Sequence, residues 1–220
     1  MPQARSIRST SVPPAEPTTI LFVRHGTTPT TGRMLPGRAP GLHLSALGRE
    51  QADRVAAAIA ALEPAPTAVY ASPLERARET AAPIARALGL RVRTERGLVD
   101  LDIGEWTGIS LKRAARRREW ATVQRWPAGF AFPGGESFSE LVARATDAVG
   151  RLVRAHPGGT VVAVSHADPI RALVATAAGV PIDLFQRLVV GTCSVSAVRY
   201  SPDGPRVLCV NASAGGLVRS

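Results

Sequence analysis

Four polar residues sit just past short apolar runs, where a plain connector would not need them. Arg24 and His25 follow residues 20–23 (ILFV), Arg76 comes shortly after residues 68–71 (AVYA), and His166 follows residues 161–165 (VVAVS). Taken singly, each has an ordinary explanation. A strand-end histidine can be a cap or a solvated residue, and Arg76 can pair with Glu75 or Glu79 on a helix surface. Taken together at three equivalent strand ends, they point to phosphate chemistry. A neutral imidazole attacks phosphorus in line, and guanidinium groups neutralise the phosphoryl oxygens without a cation. Other chemistries lack their templates. GxxxxGK[ST], GxSxG and HExxH are absent, and no GxGxxG follows the first apolar run. The four histidines (His25, His43, His156, His166) are scattered, so no metal site is expected.

His25 and His166 lie far apart in the chain, so only the fold can bring them together. The three apolar runs lack polar alternation, as strands buried on both faces do. Each precedes a helix: residues 45–62 with Ser45 as cap, a segment after Ser72-Pro73 to about Leu88 and Gly89, and about Pro169 to Ala178. This repetition predicts an α/β fold, a three-layer αβα sandwich around a mainly parallel central sheet. Residues 195–200 and 205–211, joined by Ser201-Pro-Asp-Gly, predict an antiparallel hairpin at one sheet edge. Ligands of such sheets bind beyond the carboxyl ends of the strands. Residues 105–139 break the alternation and are expected to lie over the sheet as an insertion. Within them LKRAARRREW reads as an amphipathic helix. Residues 1–18 read as a flexible tail without the apolar core of a secretory signal, preceding one domain over 19–220.

Composition narrows the partners. The 220 residues carry a net charge of +10, and Lys112 is the one lysine beside 26 arginines. Arginine forks suit phosphate and carboxylate, so a small phosphorylated substrate is expected. Nucleic acid is not, because no binding motif is present, the arginines are scattered and Phe plus Tyr total seven. No apolar run of about 18 residues occurs, so no membrane partner is expected. Cys193 and Cys209 lie in apolar, β-like stretches without a CxxC, as reduced core residues of a cytoplasmic protein would.

Residues 21–28 (LFVRHGTT) resemble the RHG signature of the histidine phosphatase superfamily, which includes the phosphoglycerate mutases. Five further segments follow in the family's order: 44–52 (LSALGREQA), 69–81 (VYASPLERARETA), 98–108 (LVDLDIGEWTG), 132–137 (FPGGES) and 164–168 (VSHAD). The resemblance covers about residues 19–212. Residues 183–187 and 194–200 are similar to an actinobacterial phosphomutase branch of unsettled substrate. The resemblance implies the phosphoglycerate mutase-like fold and a metal-independent phosphatase or phosphomutase with no cofactor, as a monomer or homodimer.

Carried over by position, it makes His25 the nucleophile that becomes phosphohistidine. Arg24 and Arg76 bind the phosphoryl oxygens, His166 donates to the same group, and Thr28 and Ala167 line the pocket. The family's acid, usually glutamate, falls on Asp100, with Asp102 and Glu105 as alternatives because aspartate is one methylene shorter. Thr31 stands where many members have asparagine. Ala167 replaces a glycine, which is harmless where φ is negative. Glu136 has two readings, a ligand contact or a neighbour of a capping box at Ser137 and Glu140. Arg33, Arg38 and the arginines of 113–118 are candidates for a second anionic group of the substrate. Mutases of the family carry long insertions and a basic tail over the site. The short insertion and the chain's end soon after the hairpin favour a phosphatase acting on small phosphomonoesters. A phosphomutase or a catalytically weak phospho-ligand binding module is the alternative.

Overall fold

The computed structural model describes residues 16–217. Residues 1–15 of the expected tail lie outside this range, and Thr18 already belongs to the sheet. The elements follow in the order β1 (Thr18–Arg24), α1 (Ala46–Ala60), β2 (Ala68–Ala71), α2 (Glu75–Ala87), β3 (Val92–Thr94), α3 (Leu111–Ala114), α4 (Trp120–Arg125), α5 (Phe138–Ala155), β4 (Thr160–Ser165), α6 (Ala167–Ala177), β5 (Val195–Ser201), β6 (Gly204–Ala212) and α7 (Ala214–Leu217). The sheet runs β3-β2-β4-β1-β5-β6. β1, β2, β3 and β4 are parallel neighbours, and the β5–β6 hairpin closes the edge antiparallel to β1.

The apolar runs become strands covered on both faces because their side chains alternate between two cores. Leu21 and Val23 of β1 face α1 and α2, in a cluster with Val55, Ile59, Ile84, Val162 and Val164. Ile20 and Phe22 face α5 and α6, packed with Val149, Leu152, Ile170, Leu173 and Val161. Truncating one of these buried side chains to alanine costs about 2–5 kcal/mol. Helix ends follow their cap chemistry. The Ser45 hydroxyl accepts from Gly48 N at the start of α1, and Ser137 with Glu140 forms a full capping box on α5.

The insertion builds a third core, with Trp106, Phe132 and Phe185 packed on Phe138 and Leu141 of α5 and Ala172 and Ala175 of α6, so it abuts those two helices. Against expectation, the LKRAARRREW segment does not form one helix. It breaks between α3 and α4, and Arg117 lies over the Trp106 ring, its guanidinium carbon 4.9 Å from the ring centroid. Among the described residues no helix is long and apolar enough to cross a membrane.

Candidate active site

Three neighbouring strands deliver the site. Arg24 lies opposite Ser165 in the β1–β4 register, so the next residues, His25 and His166, become neighbours. His25 N donates to Ser165 O at 3.0 Å, and the two imidazole centroids stand 5.1 Å apart. On the other side of β4, β2 ends at Ala71, and Ser72 Oγ lies 2.8 Å from His166 Nε2. Arg76, on the first turn of α2, is fully buried beside them.

The hydrogen bonds fix what each ring presents. His25 Nδ1 lies 2.8 Å from Gly26 O, a pure acceptor, so Nδ1 carries the proton and Nε2 keeps its lone pair. For His166 we assign the proton to Nδ1, with the Ser72 hydroxyl donating to Nε2. His166 Nδ1 then has no hydrogen-bond partner, although Asp100 Oδ2 is 3.5 Å away. Both rings are held well below the usual histidine range. Burial is the larger cause for each, followed for His25 by His166 and Arg76, and for His166 by Arg76 and Arg24. Desolvation thus outweighs the arginines in keeping His25 neutral.

The arginines are only partly satisfied. Arg76 Nη2 donates to Gly37 O at 2.8 Å and to Asp100 Oδ2 at 3.0 Å, while its Nε and Nη1 are buried without partners. Arg24 Nη1 donates to Val190 O at 2.7 Å, and its Nε is likewise unpartnered. An unsatisfied buried donor costs about 1–3 kcal/mol, and more when charged. Arg24 lines a cavity of about 280 Å³ together with His25, Thr28 and Asp100, whereas Arg76 and His166 are buried beside these residues and are not part of its wall. A cluster of N–H groups without acceptors suits an acceptor-only tetrahedral oxyanion.

The cavity wall sorts the remaining candidates. Asp100 lines the cavity. Its Oδ1 accepts from Leu101 N at 3.0 Å and its Oδ2 from Arg76 Nη2 at 3.0 Å. Asp102 is turned to Arg38 and to Gly104 N, and neither it nor Glu105 lines the cavity. Arg38 is also drawn away. Its Nε donates to Asp100 O at 2.9 Å, and its Nη atoms pair with Asp102 and Glu136. Glu136 serves this network and does not line the cavity. It accepts from Asp102 N and pairs with Arg144, whose guanidinium also holds the carbonyls of Gly97 and Val99.

Arg33 and the 113–118 arginines are absent from the cavity wall. Thr28 is buried and bonded to Thr31, which occupies the family's asparagine position. Ala167 begins α6, outside the residues of positive φ, so its methyl costs no backbone strain. Sequence reasoning missed two charged wall residues, Asp168 and Arg171. The one signal available was their i,i+3 spacing just after His166. Among the described residues, no group of three or more His, Cys, Asp or Glu side chains is placed to hold a metal ion.

Two histidines and two arginines gathered at adjacent parallel strand ends define a class, the α/β enzymes that handle phosphoryl groups in a phosphoglycerate mutase-like fold. The comparisons identify the family within it. The sequence profile of the histidine phosphatase superfamily (branch 1) matches residues 20–213, and the chain belongs to that superfamily. It is 35% identical over 192 residues to the bifunctional protein Rv2228c of Mycobacterium tuberculosis, a match covering 86% of this chain and 52% of that protein. The chain thus spans about half the length of the curated relatives of this group. It is 30% identical over 146 residues to phosphoserine phosphatase 1 of Hydrogenobacter thermophilus, covering 65% of this chain and 69% of that protein. Among solved structures, the mycobacterial glucosyl-3-phosphoglycerate phosphatase Rv2419c superposes with a TM-score of 0.80 at 27% identity, over 90% of this chain and all of that one.

Proposed function

We propose that this chain is a metal-independent phosphatase that hydrolyses a small phosphomonoester through a phosphohistidine on His25. The observation that carries the reading is the unsatisfied buried donor set. Arg76 Nε and Nη1, Arg24 Nε and His166 Nδ1 lack partners beside an imidazole whose Nε2 is free. In the first step Nε2 attacks phosphorus, the P–O ester bond breaks, and its electron pair goes to the leaving oxygen. That oxygen takes a proton from Asp100, the cavity carboxyl at the family's acid position. In the second step Asp100 removes a proton from water, the water oxygen bonds phosphorus, and the P–N bond breaks to restore His25. The arginines stabilise the charge that builds on the phosphoryl oxygens in each step.

Hydrolysis is favoured over mutase chemistry by the phosphatases named among the similar proteins. The test is a panel of phosphomonoesters with wild type, His25→Ala and Asp100→Asn, together with acid-quenched trapping of the phosphoenzyme. His25→Ala is expected to fall to background with no trapped label. EDTA is expected to leave the wild type active. Loss of activity in EDTA that added metal restores would overturn the mechanism, as would label trapped on His25→Ala. Phosphate bound but not released from any ester would point to the binding-module alternative.

A further inference from the structure

One wall of the cavity is not used by the phosphoryl-binding groups. Asp168 on the first turn of α6 and Arg171 one turn later line it beside Arg24 and His25. Arg171 Nη1 pairs with Asp168 Oδ1 at 3.1 Å, and Arg171 Nε is fixed on Leu188 O at 3.0 Å. The pair is therefore held in place, yet its side chains keep 35% and 26% of their surface exposed, within reach of a ligand. Asp168 Oδ2 and Arg171 Nη2 have no hydrogen-bond partner among the described residues. An acceptor edge and a donor edge thus stand side by side where the alcohol portion of an ester held on His25 must lie.

We propose that the Asp168–Arg171 pair is the leaving-group subsite, and that it selects a neutral alcohol with adjacent hydroxyls, a polyol or sugar phosphate. This rests on the phosphatase reading above. A lone ammonium on the substrate would satisfy Asp168 but face Arg171 and Arg24. A lone carboxylate would satisfy Arg171 but face Asp168 and Asp100. Two adjacent hydroxyls donate to one member and accept from the other, and no further charge has to be desolvated. The cavity is also lined by the apolar side chains of Met34, Leu35, Ile103 and Leu111, which suit the C–H face of such a carbon chain. The cavity, at about 280 Å³, is sized for a small ligand. A site built to hydrogen-bond a hydroxyl rejects the analogue lacking it, because its own polar groups are left unpaired.

The test compares kcat/KM for glycerol 3-phosphate with that for n-propyl phosphate, which lacks both hydroxyls. Wild type is expected to prefer the diol by about tenfold or more, the scale of a hydrogen bond to a charged group. Asp168→Ala should bring the ratio to within about threefold, and Asp168→Asn, which keeps an acceptor, should retain part of it. Equal use of the two esters by wild type overturns the proposal, and so does an undiminished ratio in Asp168→Ala. A preference for O-phosphoethanolamine, phosphoglycolate or phosphoserine over glycerol 3-phosphate overturns it too, since these carry an ammonium, a carboxylate or both. Calorimetry on the His25→Ala protein, comparing 3,4-dihydroxybutylphosphonate with butylphosphonate, reads the subsite without turnover or change at Asp168. Tighter binding of the diol supports the proposal and equal binding overturns it. A wild type that hydrolyses none of the esters counts against the phosphatase reading instead, and the phosphonate comparison still decides the subsite.

Discussion

His25 and His166 are the residues whose chemistry depends most on their surroundings. Each is almost fully buried, and burial holds each ring neutral far below the pH at which a free histidine charges. That neutrality keeps the His25 lone pair available, and it has a thermodynamic counterpart. An unfolded histidine takes up its proton near pH 6.5, whereas these two in the native state do not. The unfolded chain therefore binds more protons below about pH 6.5, and stability falls as pH falls through that window. Each ring contributes a slope of up to about 1.4 kcal/mol per pH unit. In phosphate-free buffer the midpoint of thermal unfolding is expected to fall between pH 7 and pH 5. The fall should be shallower in His25→Gln and in His166→Gln. An unaltered slope in both variants would mean that the native rings take up protons as readily as unfolded ones.

At the scale of elements, the nucleophile loop is held against the start of α1 with no room between them. A Cβ added at Gly48 would lie 2.0 Å from Thr27 O, and one at Gly26 would lie 2.5 Å from Gly48 O. Both contacts are with backbone, so relief requires the helix and the loop to move apart. Gly48→Ala is expected to destabilise by about 1–3 kcal/mol or more. In a domain of this size each kcal/mol lowers the unfolding midpoint by about 2–4 °C. The turnover number should fall as well, because the displaced loop carries His25. A variant with wild-type stability and turnover would show that the helix start can shift freely.

Much at this scale was legible in the sequence, because apolar runs and caps act locally. AVYA occupies residues 68–71 as β2, Ser45 caps α1, and the Ser201–Gly204 turn joins a hairpin at the sheet edge. The four residues flagged at the strand ends do converge, since parallel register alone brings His25 beside His166. Long-range competition among charges was not legible. Arg38 looked free to meet substrate until Asp102 and Glu136 folded beside it, and Arg171 drew no notice because its tie to Leu188 O exists only in the fold. The break in LKRAARRREW was not legible either. Residues 115–119 form turns between α3 and α4, and Arg117 there meets the ring of Trp106, a contact between segments that local helical periodicity does not register.

For the whole molecule, the net charge of +10 sets a background field that the few arginines at the cavity focus. Positive potential around a cleft raises the encounter rate of anionic substrates, and salt screens it. The kcat/KM for a phosphomonoester is expected to fall several-fold between about 10 and 200 mM ionic strength, with kcat changing less. A kcat/KM independent of salt would assign the charge no part in capture. The donors left unpaired on Arg24, Arg76 and His166 carry a further consequence. Orthophosphate presents the same tetrahedral oxygens as the ester, so on the proposed mechanism it binds the same cage after the alcohol has left. The reaction is then held back by its own product. The enzyme works fastest where something else keeps free phosphate scarce.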